Sequence, residues 1–158
     1  MTTPDTTFIR ESFKLAQESV NHGNQPFGAV LADSEGNVLL TAENTEVTDD
    51  FSGHAEFNLL MSDGRKEIPK DKLVTSTLYS STEPCFMCMG FFIKSEIGNL
   101  VYGCSSESLK RITGRKSPVY PCREFIERVG KKINVRGPVL EEEAAVLHES
   151  YWPKKTEN

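Results

Sequence analysis

Two cysteines three positions apart behind a proline, Pro84-Cys85-Phe86-Met87-Cys88, constrain this chain more than any other stretch. On a helix that spacing puts both thiols on one face. Pro84 suits a helix start, where its missing N–H costs nothing and its φ is already helical. Cys85 and Cys88 are then expected in the first turn, where the dipole and unpaired N–H groups favour thiolate over thiol. A thiolate pair is a soft-metal site, and zinc is its usual occupant. His54, upstream, supplies a third ligand type. Three protein ligands leave one tetrahedral position for water, as catalytic zinc sites do. Glu56, two residues past His54, is the acid/base such a water needs.

Each half is weak alone: His-Ala-Glu reads equally as a surface triplet, and Cys-x-x-Cys as a redox pair. A structural zinc is the sharper alternative. It needs a fourth ligand, for which Cys104 at a strand end is the best candidate, ahead of Cys122 and His148. Glu56 argues against it, because a closed structural site has no use for an acid/base.

The chain has 158 residues, enough for one domain with one core. A net charge of −5 disfavours a nucleic-acid footprint, which needs a basic face. Lys110, Arg111, Arg115 and Lys116 cluster, but such a run reads first as a solvated loop. Two cysteines beyond the metal pair fit a reducing compartment better than a disulfide framework. Met1 to Asp5 has no basic or apolar leader character. Cys85 to Ile93 is the longest nearly apolar run, too short to span a bilayer. No membrane partner and a cytoplasmic location are expected.

Thr7 to Asn21 carries Phe8, Ile9, Phe13, Ala16 and Val20 on one helical stripe, with Asp5 or Thr6 as cap. Phe27 to Ala32 and Val38 to Ala42 read as an antiparallel hairpin, with Gly28 at a bulge or a close backbone approach. His54 to Met61 reads as a helix, Arg65 to Lys72 as a charged loop, and Leu73 to Ser80 as a third strand. The cysteine helix, to about Ser95, is apolar all round and expected buried on more than one side. Leu100 to Gly103 is a fourth strand, reached by a crossover that implies parallel pairing. Ser105 to Pro118 has no clear pattern. Cys122 to Val129 and Leu140 to Trp152 read as helices around a fifth strand at Lys132 to Arg136. This order predicts an α/β fold, a three-layer α/β/α sandwich over a mixed five-stranded sheet.

The pattern resembles the His-Ala-Glu/Pro-Cys-x-x-Cys branch of the cytidine deaminase superfamily, the CMP/dCMP-type deaminase domain. The resemblance covers roughly residues 8 to 103. It is strongest to bacterial guanine deaminase-like enzymes, through Gln25-Pro26-Phe27-Gly28-Ala29-Val30, Asn44 and Glu83-Pro84-Cys85-Phe86-Met87-Cys88. It implies a single deaminase domain over 1–158, with Zn²⁺ on His54, Cys85 and Cys88 and Glu56 carrying protons. It also implies hydrolysis of an amino-substituted nucleobase or nucleoside to the oxo product and ammonia. Guanine-like substrates come first, cytosine- or isocytosine-like second. A non-catalytic zinc-containing binding domain is the reading from another class.

Substrate contacts are expected at Asn44, Phe27, Ala55 and Trp152. Asn44 reads otherwise as an Asx turn, Phe27 as core, and Trp152 as an anchor for the last helix. Glu141, Glu142 and Glu143 read either as a carboxylate for a guanine-type edge or as acids favoured in a first helical turn. A homodimer is expected, with Phe91 and Phe92 suggesting the face.

Overall fold

The computed structural model describes residues 3–153. Helix α1 (Thr3–Asn21) buries Ile9, Phe13 and Ala16 against the sheet. It begins four residues earlier than the sequence suggests, so Asp5 and Thr6 lie inside it rather than capping it. Asp5 is buried. Arg136 Nε and Nη2 donate to its carboxylate at 2.6 and 3.0 Å, and the Tyr79 hydroxyl donates at 3.2 Å. A paired carboxylate in the first turn satisfies both the dipole and the guanidinium.

Strands β1 (Gly28–Ala32) and β2 (Val38–Glu43) form the expected antiparallel hairpin. Asp33 Oδ1 organises its turn by accepting the N–H groups of Glu35 and Asn37. The register shift falls between Leu31 and Ala32, not at Gly28. Gly28 instead marks a close approach: a Cβ there would lie 2.3 Å from the Ser12 carbonyl oxygen on α1.

After α2 (Ala55–Leu60) the expected charged loop contains two short helices, α3 (Asp63–Lys66) and α4 (Lys70–Thr75). Ser62 caps α3 by accepting the Arg65 N–H at 3.2 Å. Strand β3 (Thr77–Thr82) therefore starts four residues later than expected. Leu73 and Val74 have strand propensity, but Leu73 is buried from α4 in the core, and that packing outweighs propensity.

Helix α5 (Phe86–Lys94) has Cys85 as its N-cap, so Pro84 lies just outside rather than at the first helical position. It buries Cys88, Met89, Phe92 and Ile93, while Phe86 and Phe91 stay exposed at 64% and 37%; it is not enclosed on all sides. Strand β4 (Asn99–Cys104) follows. The unassigned stretch holds α6 (Ser106–Thr113), capped by Ser105 and ended by Gly114 at positive φ. Then come α7 (Cys122–Val129), stopped by Gly130, the short β5 (Asn134–Arg136) and α8 (Glu141–Tyr151).

The sheet order is β2-β1-β3-β4-β5, with β1 antiparallel to both neighbours and β3, β4 and β5 parallel. Alternate residues of a strand face opposite layers. Ala29, Leu31, Leu78 and Leu100 pack under α2, α5 and α7. Val30, Ala32, Tyr79 and Val101 pack under α1 and α8. The three-layer sandwich over a mixed sheet is thus realised. Among the described residues no helix is long and apolar enough to cross a membrane.

Candidate metal centre and active site

The starts of α2 and α5 converge beside the carboxyl end of β3, where ligands collect in open α/β sheets. His54 and Cys85 are both N-cap residues with extended backbones, and neither caps its helix with its side chain. Both side chains are thereby free to turn toward each other. His54 Nδ1 lies 3.5 Å from Cys85 Sγ and 3.6 Å from Cys88 Sγ. Tetrahedral zinc with ordinary Zn–N and Zn–S bonds separates such atoms by about 3.6 Å. The three ligand atoms all fall within 4.8 Å of one another and, among the described residues, are the one group able to hold a metal ion. The donor set fits zinc.

The electrostatics agree. The Cys88 S–H hydrogen bond, aided by His54, pulls the Cys85 thiol down to about 4 against its burial. Cys88 is pushed up, first by that same bond to Cys85 and then by burial. A divalent cation would take the place of the proton between two such sulfurs. The bond to Cys85 raises His54, opposed by burial. Glu46 Oε2 lies 3.7 Å from His54 Nε2, on the side away from the sulfurs. An acceptor there favours the tautomer that leaves Nδ1 free to ligate.

Glu56 is buried, at 5% exposure, and burial raises its pKa against a hydrogen bond from Ser80. The Ser80 hydroxyl sits 2.5 Å from Glu56 Oε1 and 2.7 Å from the Thr82 carbonyl oxygen. One hydroxyl proton serves one acceptor at a time, so Ser80 accommodates both states of Glu56. It donates to the carboxylate, or accepts from the acid while donating to Thr82. Glu56 Oε2 lies 3.7 Å from Cys88 Sγ, beside the ligands.

His54, Cys85, Glu46 and Glu56 line a cavity of about 160 Å³ together with Phe27, Asn44, Thr82 and Arg115. Pockets for drug-sized ligands run to roughly 300–1,000 Å³, so this one takes a smaller, ring-sized molecule. A second cavity, lined by Phe86, Lys110 and Tyr120, shares Glu83, Cys85, Leu109 and Arg115 with it. Asn44 does two things at once. Its carbonyl oxygen accepts the N–H groups of Glu46 and Gln25 at 3.0 and 3.4 Å, an Asx arrangement, while its NH₂ has no hydrogen-bond partner among the described residues.

Other expected contacts lie elsewhere. Ala55 is fully buried in the core under the sheet. Trp152 is outside the cavity lining; its indole donates to His148 Nδ1 at 3.1 Å, and the Arg115 guanidinium lies 5.5 Å from its ring centroid. The anchoring reading describes that position. Glu141 accepts from Ser105 and Ser108, and Glu143 pairs with Arg10, so neither reaches the cavity; Glu142 is exposed. Cys104, Cys122 and His148 all stand apart from the ligand group, which removes the structural-zinc candidates.

Sequence reasoning passed over Ser80 and Thr82, and named Glu83 only as part of the motif that carries the resemblance. Glu83 accepts from Ser106 N and Oγ, each at 2.8 Å, and from Cys122 N at 2.7 Å. Their one signal was adjacency to Pro84 at the end of a strand.

Residues 2–104 match the family model described as the cytidine and deoxycytidylate deaminase zinc-binding region. The chain is 34% identical over 154 residues to a probable cytosine deaminase of Schizosaccharomyces pombe, covering 94% of this chain and 92% of that one. It is 30% identical over 152 residues to a tRNA-specific adenosine deaminase of Buchnera aphidicola, covering 96% and 95%. A guanine deaminase structure from Nitrosomonas europaea superimposes with a TM-score of 0.80 at 22% identity, over 96% of this chain and 85% of that one.

Proposed function

This chain belongs to the cytidine and deoxycytidylate deaminase family and is a zinc-dependent hydrolytic deaminase; on that premise we propose that it acts on an amino-substituted nucleobase or nucleoside, guanine-like first. The observation that carries this reading is the buried Glu56 carboxyl, one oxygen held by Ser80 and the other beside the three ligands, in a ring-sized cavity.

His54, Cys85 and Cys88 would hold zinc, which would lower the pKa of a bound water to about 7. Glu56 accepts that water's proton and passes it to the ring nitrogen next to the amino-bearing carbon. The hydroxide left behind attacks that carbon; Glu56 then takes the proton of the new hydroxyl and gives it to the amine, which departs as the C–N bond breaks and the C=O forms. Substrate C–NH₂ and water become C=O and ammonia, and Glu56 ends as it began. Ser80 follows each change by reversing its role toward Oε1. The Asn44 NH₂ donates to an acceptor on the ring, and Phe27 walls the cavity.

A cytosine-like substrate is the second reading, favoured by the 34% identity to the S. pombe protein. The test is ammonia release from guanine, guanosine, cytosine, isocytosine and adenine. With the active ring, Glu56→Gln keeps its zinc and loses about 10³-fold or more in rate. Retained activity removes Glu56 as proton carrier. RNA is not the proposed partner, given the charge of −5; salt-sensitive binding in a gel shift would reverse that. A homodimer through the exposed Phe86 and Phe91 is proposed, and a monomer by light scattering refutes it; Phe92 is excluded by its burial.

A further inference from the structure

We propose that His148 fixes Thr82 as a hydrogen-bond donor to the substrate, so that the site selects a ring with a carbonyl or bare nitrogen at that edge over one with a second amino group. The proposal deepens, and rests on, the deaminase reading above.

Trp152 has a donor-only indole N–H, and it points at His148 Nδ1 from 3.1 Å. A histidine that accepts at Nδ1 is neutral and carries its proton on Nε2. Nε2 lies 2.8 Å from Thr82 Oγ1. The ring therefore donates, and the hydroxyl accepts. The hydroxyl's own proton is left without a partner among the described residues. Thr82 is 2% exposed and lines the same cavity as Glu56 and Phe27. A buried donor without a partner is costly, and the cavity is where its partner arrives.

The relay is built in rather than incidental. His148 is 1% exposed, and its ring packs 5.3 Å from Phe27. Burial, with Arg115 nearby, holds the imidazole neutral, its pKa lowered to about 4. Asn44 offers a second donor, since its carbonyl is already taken. Two donors facing the ring suit amino-oxo heterocycles such as guanine or cytosine. In 2,6-diaminopurine or 2,4-diaminopyrimidine an amino group replaces the carbonyl, so that a donor meets a donor.

Equilibrium binding of these four rings to the zinc-loaded Glu56→Gln protein tests this without turnover. Adding Thr82→Val weakens the oxo ring by about tenfold and leaves its diamino partner within about twofold, while Thr82→Ser restores the preference. His148→Phe keeps the ring packing but frees Thr82 to accept, so it narrows the oxo-over-diamino preference about tenfold. Equal losses on both rings, or none, overturn the proposal. Nitrogen-15 NMR of labelled histidine is independent of any ligand: it shows His148 protonated at Nε2 at neutral pH, and a proton on Nδ1 overturns the relay. Failure of all four rings to bind overturns the substrate half together with the deaminase reading, while the NMR result still decides the relay.

Discussion

Replacing His148 by glutamine should remove a pH-dependent component of stability between pH 6.5 and 4. Glutamine can accept from Trp152 and donate to Thr82, but it does not titrate. In the folded chain His148 is almost fully buried, and its pKa falls from 6.5 to about 4, through burial first and Arg115 second. The unfolded chain takes up that proton near 6.5. Below that pH the unfolded state therefore binds more protons, and stability falls with pH until the folded pKa is passed. At 1.36 kcal/mol per unit the full effect is about 3 kcal/mol, of which roughly 2.5 develops between pH 7 and 4.5. The assay is urea unfolding of metal-free protein, followed by far-UV circular dichroism, for wild type and variant at both pH values. Carboxylates and the other histidines titrate alike in both chains and cancel in the difference. The variant should gain about 2.5 kcal/mol relative to wild type on acidification. A difference that does not change with pH would refute a neutral buried imidazole.

Four other outcomes are expected. Cys88→Ser should lower zinc content well below one per chain by elemental analysis, because a hydroxyl is a poor substitute for a thiolate; full stoichiometry would remove Cys88 from the ligand set. Ser80→Ala should keep zinc but slow ammonia release about tenfold, since Glu56 loses the partner that follows its protonation. Asp5→Ala should cost about 2 kcal/mol in denaturant unfolding, less than for a fully buried pair because Arg136 is 32% exposed. Glu96→Gly should raise stability by about 1 kcal/mol, because φ at this exposed residue is +68° and glycine adopts that conformation without penalty. An unchanged midpoint in either case would count against the corresponding account.

The metal ligands were legible because chemistry dictates their residue types: soft sulfurs three apart and an imidazole at a second helix start leave few alternatives. The β1–β2 hairpin and the parallel pairing of β3 with β4 were legible through turn residues and the crossover rule. The start of β3 was not, because Leu73 and Val74 look like strand and only the packing of Leu73 shows them to be helix. Helix α6 was hidden because its signals, the Ser105 cap and the Gly114 stop, flank a mostly polar sequence whose strongly apolar residues are Leu109 and Ile112. Trp152 drew attention as the lone tryptophan, but its partner is His148, four residues back, and its influence passes through that ring to Thr82. Ala55 sits between two chemically active neighbours, yet the turn of α2 sends its methyl group inward.

Glu83 ties a knot. Its one carboxylate gathers the opening residues of both α6 and α7, so the span between Ser106 and Cys122 leaves and returns to the same side chain. That span overhangs the second cavity through Ser117, Pro118, Val119 and Tyr120. It is a cassette with fixed ends: its length and lettering can be rewritten to reshape the approach, while the thiols beyond Pro84 feel only the clasp.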